Sequence, residues 1–219
     1  MPFSPFRGIV FTMLDKNMVS ILDIGCREGG AVENINLRGW QIWRVGVDLD
    51  LESLRHCKEI SAYDEVVLCD ALRLPLRSKS LDGIFCIEFI EHLAKSDGIT
   101  FLEDLERVAK RQIIITTPVG YMKEPSSCST LMQHRSGWRP EELRARGYKV
   151  RGMIGPRFLP MNVAYWISHI LCFTYLWPEF SHAMICAKHP DAVSPHWLTK
   201  QGVLLTESMA LGSPKRARH

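Results

Sequence analysis

The stretch that decides the fold of this chain reads Ile21-Leu22-Asp23-Ile24-Gly25-Cys26-Arg27-Glu28-Gly29-Gly30. Its apolar part, 20–24, predicts a short strand, and residues Ala31 to Arg38 predict a helix after the turn. Glycines let a backbone turn tightly and let a ligand approach it closely, while the first N–H groups of a helix face that ligand. A strand, a glycine-rich turn and a helix in this order are therefore typical of a nucleotide-type cofactor site.

Three further apolar segments each end at or beside a carboxylate. They are Arg44–Asp50 with Asp48, Glu65–Ala71 with Asp70, and Leu81–Glu88 with Glu88. Asp48 lies 23 residues beyond Gly25, and an acid about 20 residues past the first glycine grips ribose hydroxyls in doubly wound sheets. Because ligands of open α/β sheets bind at the carboxyl ends of the strands, these acids are expected to meet at one site.

The rest of the chain alternates helices and strands with short connections, which predicts a doubly wound parallel sheet covered on both faces. The expected helices are 51–60, 97–110 and 139–146, and the expected later strands are 113–118, 148–154 and 183–188. Residues 97–110 carry apolar side chains at helical spacing, with Ser96 or Asp97 available as the cap.

Several ordered motifs together resemble the class I S-adenosylmethionine-dependent methyltransferases, in particular their small-molecule branch. The motifs are Leu22-Asp23-Ile24-Gly25-Cys26, Gly46-Val47-Asp48, Asp70-Ala71 with Leu74-Pro75-Leu76, Cys86 through Leu93, Ile113 through Pro118, and His134 through Trp138. The resemblance covers residues 20–188. It implies an α/β fold with a three-layer Rossmann-like doubly wound sheet, mostly parallel with an antiparallel last strand, in a single methyltransferase domain over residues 1–219.

The resemblance also implies S-adenosyl-L-methionine as the cofactor and assigns residues to its parts. For the methionine part, Asp23, Gly25, Cys26 and Gly29 would shape the pocket, and Ile87 or Glu88 would lie by the ammonium. For the nucleoside part, Asp48 would bind the ribose hydroxyls and Leu49 would pack on the adenine. Asp70 and Ala71 would contact the adenine edge. Three of the acids have a structural alternative. Asp23 can satisfy N–H groups of the turn, Asp48 can be a plain strand-end acid, and Asp70 can be a turn residue.

Arg27 departs from the family, which usually has three alternating glycines where this chain has Gly25, Arg27 and Gly29. A non-glycine residue with φ above zero is uncommon. Either Arg27 has an ordinary conformation or the turn is strained. Its side chain is either a solvated arginine or a partner for the cofactor's carboxylate.

His92 and His134 are the candidate catalytic residues. By the resemblance, His92 follows the fourth strand near the point where the methyl group emerges, and His134 lies in a late loop that closes many such sites. A histidine pKa of about 6.5 suits proton removal at neutral pH, although a lone histidine is more often a hydrogen-bonding loop residue. No cysteine pair has the C-x-x-C spacing of a zinc site, so no metal is predicted.

The composition fits a globular protein with a small-molecule partner. Of 219 residues, 46% are hydrophobic and 23% are charged, which suits one larger domain, and the net charge of +3 is too small to indicate nucleic acid. The sequence predicts a cap segment without signal-peptide features over residues 1–19 and a flexible basic tail over residues 190–219. The odd number of cysteines, seven, predicts reduced thiols and a cytoplasmic setting.

An uncharged segment, 158–178, lies within the insertion 156–181 before the last strand. It reaches the length of a membrane span, about 18 residues or more, but polar residues interrupt it. A membrane span here would also place the last strand of the sheet on the far side of the bilayer. Three interpretations remain: a buried connecting helix, a lid over an apolar substrate, or a helix in contact with a membrane surface.

The sequence therefore predicts an S-adenosylmethionine-dependent methyltransferase that transfers a methyl group to a small or lipid-like acceptor by in-line displacement. One alternative is a catalytically inactive cofactor-binding or scaffold protein, with Arg27 as the mark of lost turnover. Another is an NAD-dependent enzyme on a similar sheet, which the missing G-x-G-x-x-G fingerprint disfavours.

Overall fold

Seven strands of the chain form one sheet with the order β3-β2-β1-β4-β5-β7-β6. The computed structural model describes residues 13–29, 41–123, 130–160, 163–164 and 173–190. The strands are β1 (Ser20–Ile24), β2 (Trp43–Asp48), β3 (Glu65–Leu68), β4 (Leu81–Ile87), β5 (Ala109–Pro118), β6 (Lys149–Pro156) and β7 (Ser181–Lys188). Every neighbouring pair is parallel except the two that β7 makes, so the predicted α/β sheet with an antiparallel last strand is confirmed.

Four α-helices lie within the described residues. They are α1 (Leu51–Glu59), α2 (Lys95–Val108), α3 (Pro140–Ala145) and α4 (Phe173–Leu176). Leu54 of α1 packs in one apolar cluster with Ile21 of β1. Leu102 of α2 packs in a second cluster with Leu22. Because successive residues of a strand point to opposite faces, α1 and α2 cover the two faces of the sheet and make three layers.

Helix α2 begins and ends two residues earlier than the apolar pattern predicts. Its N-cap is Ala94, without a side-chain cap, so the predicted capping by Ser96 or Asp97 is wrong. Ala94 already has the extended backbone of a cap, and its carbonyl accepts from Gly98 N–H at 2.9 Å. At the other end Ala109 takes an extended backbone and joins β5, which stops the helix.

Several predictions lie outside the described residues. They are the helix at 31–38, most of the cap segment 1–19, much of the segment 158–178, and the tail after residue 190. Among the residues that are described, no helix is both long enough and apolar enough to cross a membrane.

The described ends of the segment 158–178 pack against β6. A Cβ atom added at Gly155 would meet the backbone of Ala164, and one added at Gly152 would meet the backbone of Thr174. Ala164 and Thr174 are both buried. Glycines in β6 therefore let these two pieces of chain lie directly on the strand.

The strand order places β1 beside β4 at the centre of the sheet. The chain runs from β1 through β2 to β3 on one side, and from β4 to β5 on the other. A crevice forms where the order reverses, and ligands of such sheets bind in it at the carboxyl ends of the strands. The glycine turn follows β1 there, and Glu88 follows β4.

Candidate active site

The turn after β1 has a repeating left-handed backbone. Gly25, Arg27 and Gly29 have φ values of +70°, +44° and +86°. Arg27 thus takes the conformation of a glycine, at a cost of roughly 1–2 kcal/mol for an L-residue. The N–H groups of Gly25 and Cys26 both donate to the carbonyl of Val47, at 2.9 and 3.1 Å, and this fastens the turn to the end of β2.

Gly25 also lies against the segment that follows β4. A Cβ atom at this position would collide with the ring of Phe89. Glycine is therefore required here both for its positive φ and for this close approach. The contact joins the ends of the two strands that border the crevice.

Asp48 ends β2 and binds the glycine turn through its side chain. One carboxylate oxygen accepts from Arg27 N–H at 2.8 Å, and the other accepts from Asp50 N–H at 2.9 Å. Each oxygen keeps a second lone pair, so these bonds leave Asp48 able to accept further hydrogen bonds. The next side chain, Leu49, is 55% exposed and offers an apolar surface beside the acid.

Asp23 precedes the turn and is buried, with 1% of its surface exposed. The Tyr63 hydroxyl donates to its Oδ2 at 2.5 Å. Burial raises the pKa of Asp23 to about 7; the bond from Tyr63 opposes this rise, and the charge of Asp48 adds to it. The structure thus pairs Asp23 with a phenol that no motif marks in the sequence.

The end of β3 lies beside the end of β2, because Cys69 N–H donates to the carbonyl of Asp48 at 3.0 Å. Asp70 follows and accepts from Leu72 N–H at 2.9 Å, which caps a short 3-10 helix at Ala71–Arg73. Ala71 is buried. Asp70 therefore acts as a turn residue and lies, with Ala71, at the same edge of the sheet as Asp48.

Glu88 follows the half-buried Ile87 and has a strained backbone, with φ of +49°. Its N–H donates to the carbonyl and the hydroxyl of Thr116, at 3.0 and 3.1 Å, and this ties the end of β4 to β5. The side chain reaches solvent but is flanked by protein. This partial desolvation raises the pKa of Glu88, while the Thr116 side chain and the charge of His134 oppose the rise.

His92 and His134 lie together although 42 positions separate them in the chain. Their ring centroids are 5.1 Å apart. Nδ1 of His92 lies 3.3 Å from the carbonyl of Gln133, and Nδ1 of His134 lies 2.8 Å from the carbonyl of Met122. The structure therefore brings both candidate catalytic residues to one place.

The loop that carries His134 is anchored to the 3-10 helix Ile90–His92. The N–H groups of Arg135 and Ser136 donate to the carbonyl of Glu91, at 2.8 and 3.0 Å. Trp138, at the end of this loop, is 1% exposed and donates from Nε1 to the Ser136 hydroxyl. It is a packing residue.

A cleft of about 600 Å³ lies next to the loop that carries His134. Gly120, Tyr121, Met122 and His182 are among its lining residues. The carbonyl of Met122 is the partner of His134 Nδ1, and the Tyr121 hydroxyl donates to the carbonyl of His134 at 3.3 Å. Two residues that line the cleft therefore contact His134, and a small molecule fits a space of this size.

Comparison with known proteins identifies relatives of this arrangement. Residues 22–115 match the methyltransferase domain family. A ubiquinone biosynthesis O-methyltransferase of Glaesserella parasuis serovar 5 (strain SH0165) is 22% identical over 182 residues, which cover 71% of this chain and 76% of that protein. The crystal structure of a SAM-dependent methyltransferase from Archaeoglobus fulgidus has a TM-score of 0.57 at 19% identity, over 84% of this chain and 91% of the other. A geranyl diphosphate methyltransferase in complex with SAM has a TM-score of 0.59 at 15% identity, over 85% of this chain and 84% of that one.

The matched residues run from β1 into β5 and include the glycine turn, Asp48, Asp70 and Glu88. The cofactor of the family is S-adenosyl-L-methionine, and the relatives are named as methyltransferases. They do not favour the alternative of an inactive scaffold protein. The fold, the crevice and these matches together lead to one conclusion: residues 22–115 form a methyltransferase domain, and the whole sheet has the fold of the S-adenosylmethionine-dependent methyltransferases.

Proposed function

We propose that this enzyme transfers the methyl group of S-adenosyl-L-methionine to an oxygen atom of a small-molecule acceptor. One observation carries the proposal: the glycine turn with its acids and the two histidines follow strands at the same edge of the sheet, and His134 contacts Met122, which lines a cleft of about 600 Å³. The turn suits a nucleoside cofactor, and the histidines suit an acceptor that loses a proton. The O-methyltransferase named among the relatives supports oxygen as the acceptor atom.

The residues at the turn fit the cofactor on chemical grounds. Gly25 and Gly29 carry no side chain that would obstruct the methionine part. Asp48 has lone pairs for the ribose hydroxyls, and Leu49 offers apolar surface to the adenine. Asp23 and Cys26 are buried, so their proposed role is to support the conformation of the turn from its buried side.

The other proposed cofactor contacts come from the ends of β3 and β4. Asp70 and Ala71 meet the adenine edge, and Ile87 or Glu88 lies by the methionine ammonium. A carboxylate at Glu88 would pair with that ammonium, and the pairing would offset part of the desolvation that raises its pKa.

The bound cofactor supplies an electrophilic methyl carbon on a sulfonium sulfur. The protein's part is to hold the acceptor oxygen in line with that carbon, an alignment worth about 7–11 kcal/mol. His92 and His134 would take the hydroxyl proton as the oxygen attacks. A carbonyl only accepts hydrogen bonds, so each Nδ1 carries its hydrogen and Nε2 holds the basic lone pair.

Thermal unfolding with the demethylated cofactor tests the cofactor half of the proposal. A ligand at about 100 times its Kd stabilises a protein by about 2.7 kcal/mol, so the wild type should unfold at a clearly higher temperature. Asp48→Ala should lose this rise. Asp64→Ala is the matched control, because Asp64 also accepts a backbone N–H, from Arg44 at 2.7 Å. An unshifted wild type would rule out the cofactor assignment.

A methylation assay tests the acceptor half. The enzyme should methylate at least one compound in a panel of phenols, catechols and aliphatic alcohols when the cofactor is supplied. We expect no transfer to nucleic acid, since the net charge is only +3. Cofactor binding without transfer to any member of the panel would support the inactive alternative instead.

We also propose that the acceptor is lipid-like and that residues 158–178 contact a membrane surface from the cytoplasmic side. Phe158, Leu176, Trp177 and Phe180 are 73%, 55%, 48% and 48% exposed, and aromatic side chains are favourable at a lipid interface. The full chain should float with anionic liposomes, and the double variant Phe158→Ser, Trp177→Ser should float less. Tyr121→Ser, which also removes an exposed aromatic ring, is the control. A wild type that stays with the unbound fraction would contradict this proposal.

A further inference from the structure

Glu91, His92 and His134 form a cluster that none of the proposed cofactor contacts uses. A carboxylate oxygen of Glu91 and one ring nitrogen of each histidine lie within 4.8 Å of one another. Glu91 is buried, with 2% of its surface exposed, and both histidines are half-buried. Three side chains with these donor atoms, so close together, can converge on a single cation.

Each histidine ring has its Nδ1 beside a main-chain carbonyl. A metal-bound histidine nearly always donates its other ring N–H to a carbonyl or carboxylate, which fixes the tautomer. Nδ1 of His92 faces the carbonyl of Gln133, and Nδ1 of His134 faces the carbonyl of Met122. Both rings therefore present Nε2 as the nitrogen with a lone pair, and both have their orienting partner on the main chain.

The backbone holds the two parts of the cluster in register. The carbonyl of Glu91 accepts from the N–H groups of Arg135 and Ser136, at 2.8 and 3.0 Å. These two residues directly follow His134 in the chain. The cluster is thus held by main-chain bonds and is independent of the glycine turn.

Two imidazoles and one carboxylate favour a particular kind of metal. Imidazole nitrogen suits zinc and other first-row transition metals, whereas Mg²⁺ and Ca²⁺ prefer oxygen ligands. Three protein ligands leave at least one coordination position for a water molecule or a substrate atom. The cluster follows β4 by a few residues, and its His134 contacts Met122, which lines the cleft of about 600 Å³.

We propose that Glu91, His92 and His134 bind one divalent first-row transition-metal ion. We further propose that its open coordination position takes the acceptor oxygen, a second step that rests on the proposed function. The metal would orient that oxygen and lower the pKa of its hydroxyl, so that the proton passes to solvent water while the oxygen bonds to the methyl carbon and the carbon–sulfur bond breaks. In this metal-bound form the two histidines serve as ligands, and this role replaces the proton transfer proposed for them above.

Metal titration of the full chain tests the site. Protein stripped with a chelator is titrated with Zn²⁺ by calorimetry and with Co²⁺ by visible absorption, whose bands report histidine and carboxylate ligation. The wild type should bind one ion per chain. His134→Ala and Glu91→Gln should weaken binding by more than about 10-fold, and His56→Ala, an exposed histidine on α1, should leave it unchanged.

Because Glu91 is buried, circular dichroism of Glu91→Gln is compared with that of the wild type, and His92→Ala provides a second ligand variant on a half-buried position. Binding that is absent in the wild type, or equal in the wild type and the ligand variants, would overturn the metal site. Methyl transfer that is unchanged after chelation would overturn the role of the metal in holding the acceptor.

The thermal shift with the demethylated cofactor is measured on the same metal-free protein. A shift without metal binding would reject the metal site and leave the proposed function intact. Metal binding without a shift would reject the proposed function and leave the metal site intact.

Discussion

The cofactor half and the acceptor half of the crevice are built in different ways. The proposed cofactor half consists of residues at the ends of β1, β2, β3 and β4, so the parallel pairing of these strands brings them together. The acceptor half joins the 3-10 helix at Ile90–His92 to a loop about 40 residues later, through backbone bonds to Glu91. The first half depends on backbone conformation, and the second depends on side chains that a loop holds in place. Variants should therefore separate the two halves.

The largest expected effect is on catalysis. His134→Ala should lower the rate of methyl transfer by roughly 10²–10⁴-fold, the usual contribution of proton-transfer catalysis, both where His134 takes the proton itself and where it binds the metal that acidifies the hydroxyl. The thermal shift by the demethylated cofactor should remain, because His134 lies in the acceptor half. Single-turnover kinetics and thermal unfolding measure the two quantities. His56→Ala is the control, and loss of the shift in His134→Ala would show that the halves are not separable.

Gly25→Ala should affect the cofactor half through the backbone. An L-residue at a φ of +70° costs roughly 1–2 kcal/mol, and the collision with Phe89 adds about 1–3 kcal/mol of overpacking. Denaturant unfolding should show a loss of about 2–5 kcal/mol, and the cofactor shift should disappear.

Gly120→Ala is the matched control for this variant. Gly120 has a φ of +80° but nothing within 4 Å of an added Cβ atom, so only the conformational cost applies. In the double variant Gly25→Ala, Phe89→Ala, the part of the lost unfolding free energy that comes from the collision should be recovered. Equal losses at Gly25 and Gly120 would contradict the steric role of Phe89.

Tyr63→Phe tests the support beneath the turn and its dependence on pH. The pKa of Asp23 is about 7 in the folded protein against an ordinary value of 3.8, so between these values the folded state binds more protons than the unfolded state. Stability from this group is therefore present at low pH and falls as pH rises towards 7, by at most about 1.4 kcal/mol per pH unit. Above that pH the contribution is constant.

Removing the Tyr63 hydroxyl takes away a bond to the ionised carboxylate, which should cost about 1.5–3 kcal/mol at pH 8 and clearly less at pH 5. Unfolding of the wild type and of Tyr63→Phe at both pH values measures this difference. Asp23→Asn should flatten the dependence on pH. An equal loss at both pH values would mean that the hydroxyl does not act on the charged form of Asp23.

The smallest effect is expected at Arg27. Arg27→Gly removes the left-handed strain of roughly 1–2 kcal/mol but adds the entropic cost of glycine, about 0.5–1 kcal/mol, so stability should rise by at most about 1.5 kcal/mol. The side chain of Arg27 is exposed. Hydrogen bonds from the Ser53 hydroxyl and the Glu52 N–H lower the pKa of Asp50, and the charge of Arg27 makes a smaller contribution in the same direction.

Arg27→Ala is the control for Arg27→Gly, because it keeps the strain and removes the guanidinium. Unchanged cofactor affinity in both variants would mean that Arg27 is a solvated residue of the turn. Weaker affinity in both would mean that its guanidinium pairs with the cofactor's carboxylate.

Much of the cofactor half could be predicted from the sequence. The glycine turn, Asp48 and Asp70 are each encoded within a few residues of a strand end, and the strand order then brings them to one edge. Tyr63 could not be predicted, because its partner Asp23 lies 40 residues earlier in the chain and their contact depends on how β2 and β3 pack. The positive φ of Glu88 likewise leaves no local signal, since glutamate rarely adopts it.

The boundaries of α2 show the same limit at the level of an element. Its apolar face was predicted correctly, because helical periodicity is a local property. Its start was not, because Ala94 adopts the backbone of a cap without a capping side chain. Its end was not, because pairing of β5 with β4 takes Ala109 out of the helix.

The sequence by itself determined the sheet, the glycine turn and the acids at the strand ends, because short-range patterns of apolar residues, glycines and carboxylates specify them. Only the tertiary structure decided that Arg27 takes a left-handed backbone and that Glu91 and His92 lie beside His134. The physical reason is that these features depend on hydrogen bonds between segments far apart in the chain, such as those from Arg135 and Ser136 to Glu91, and no local pattern encodes such bonds.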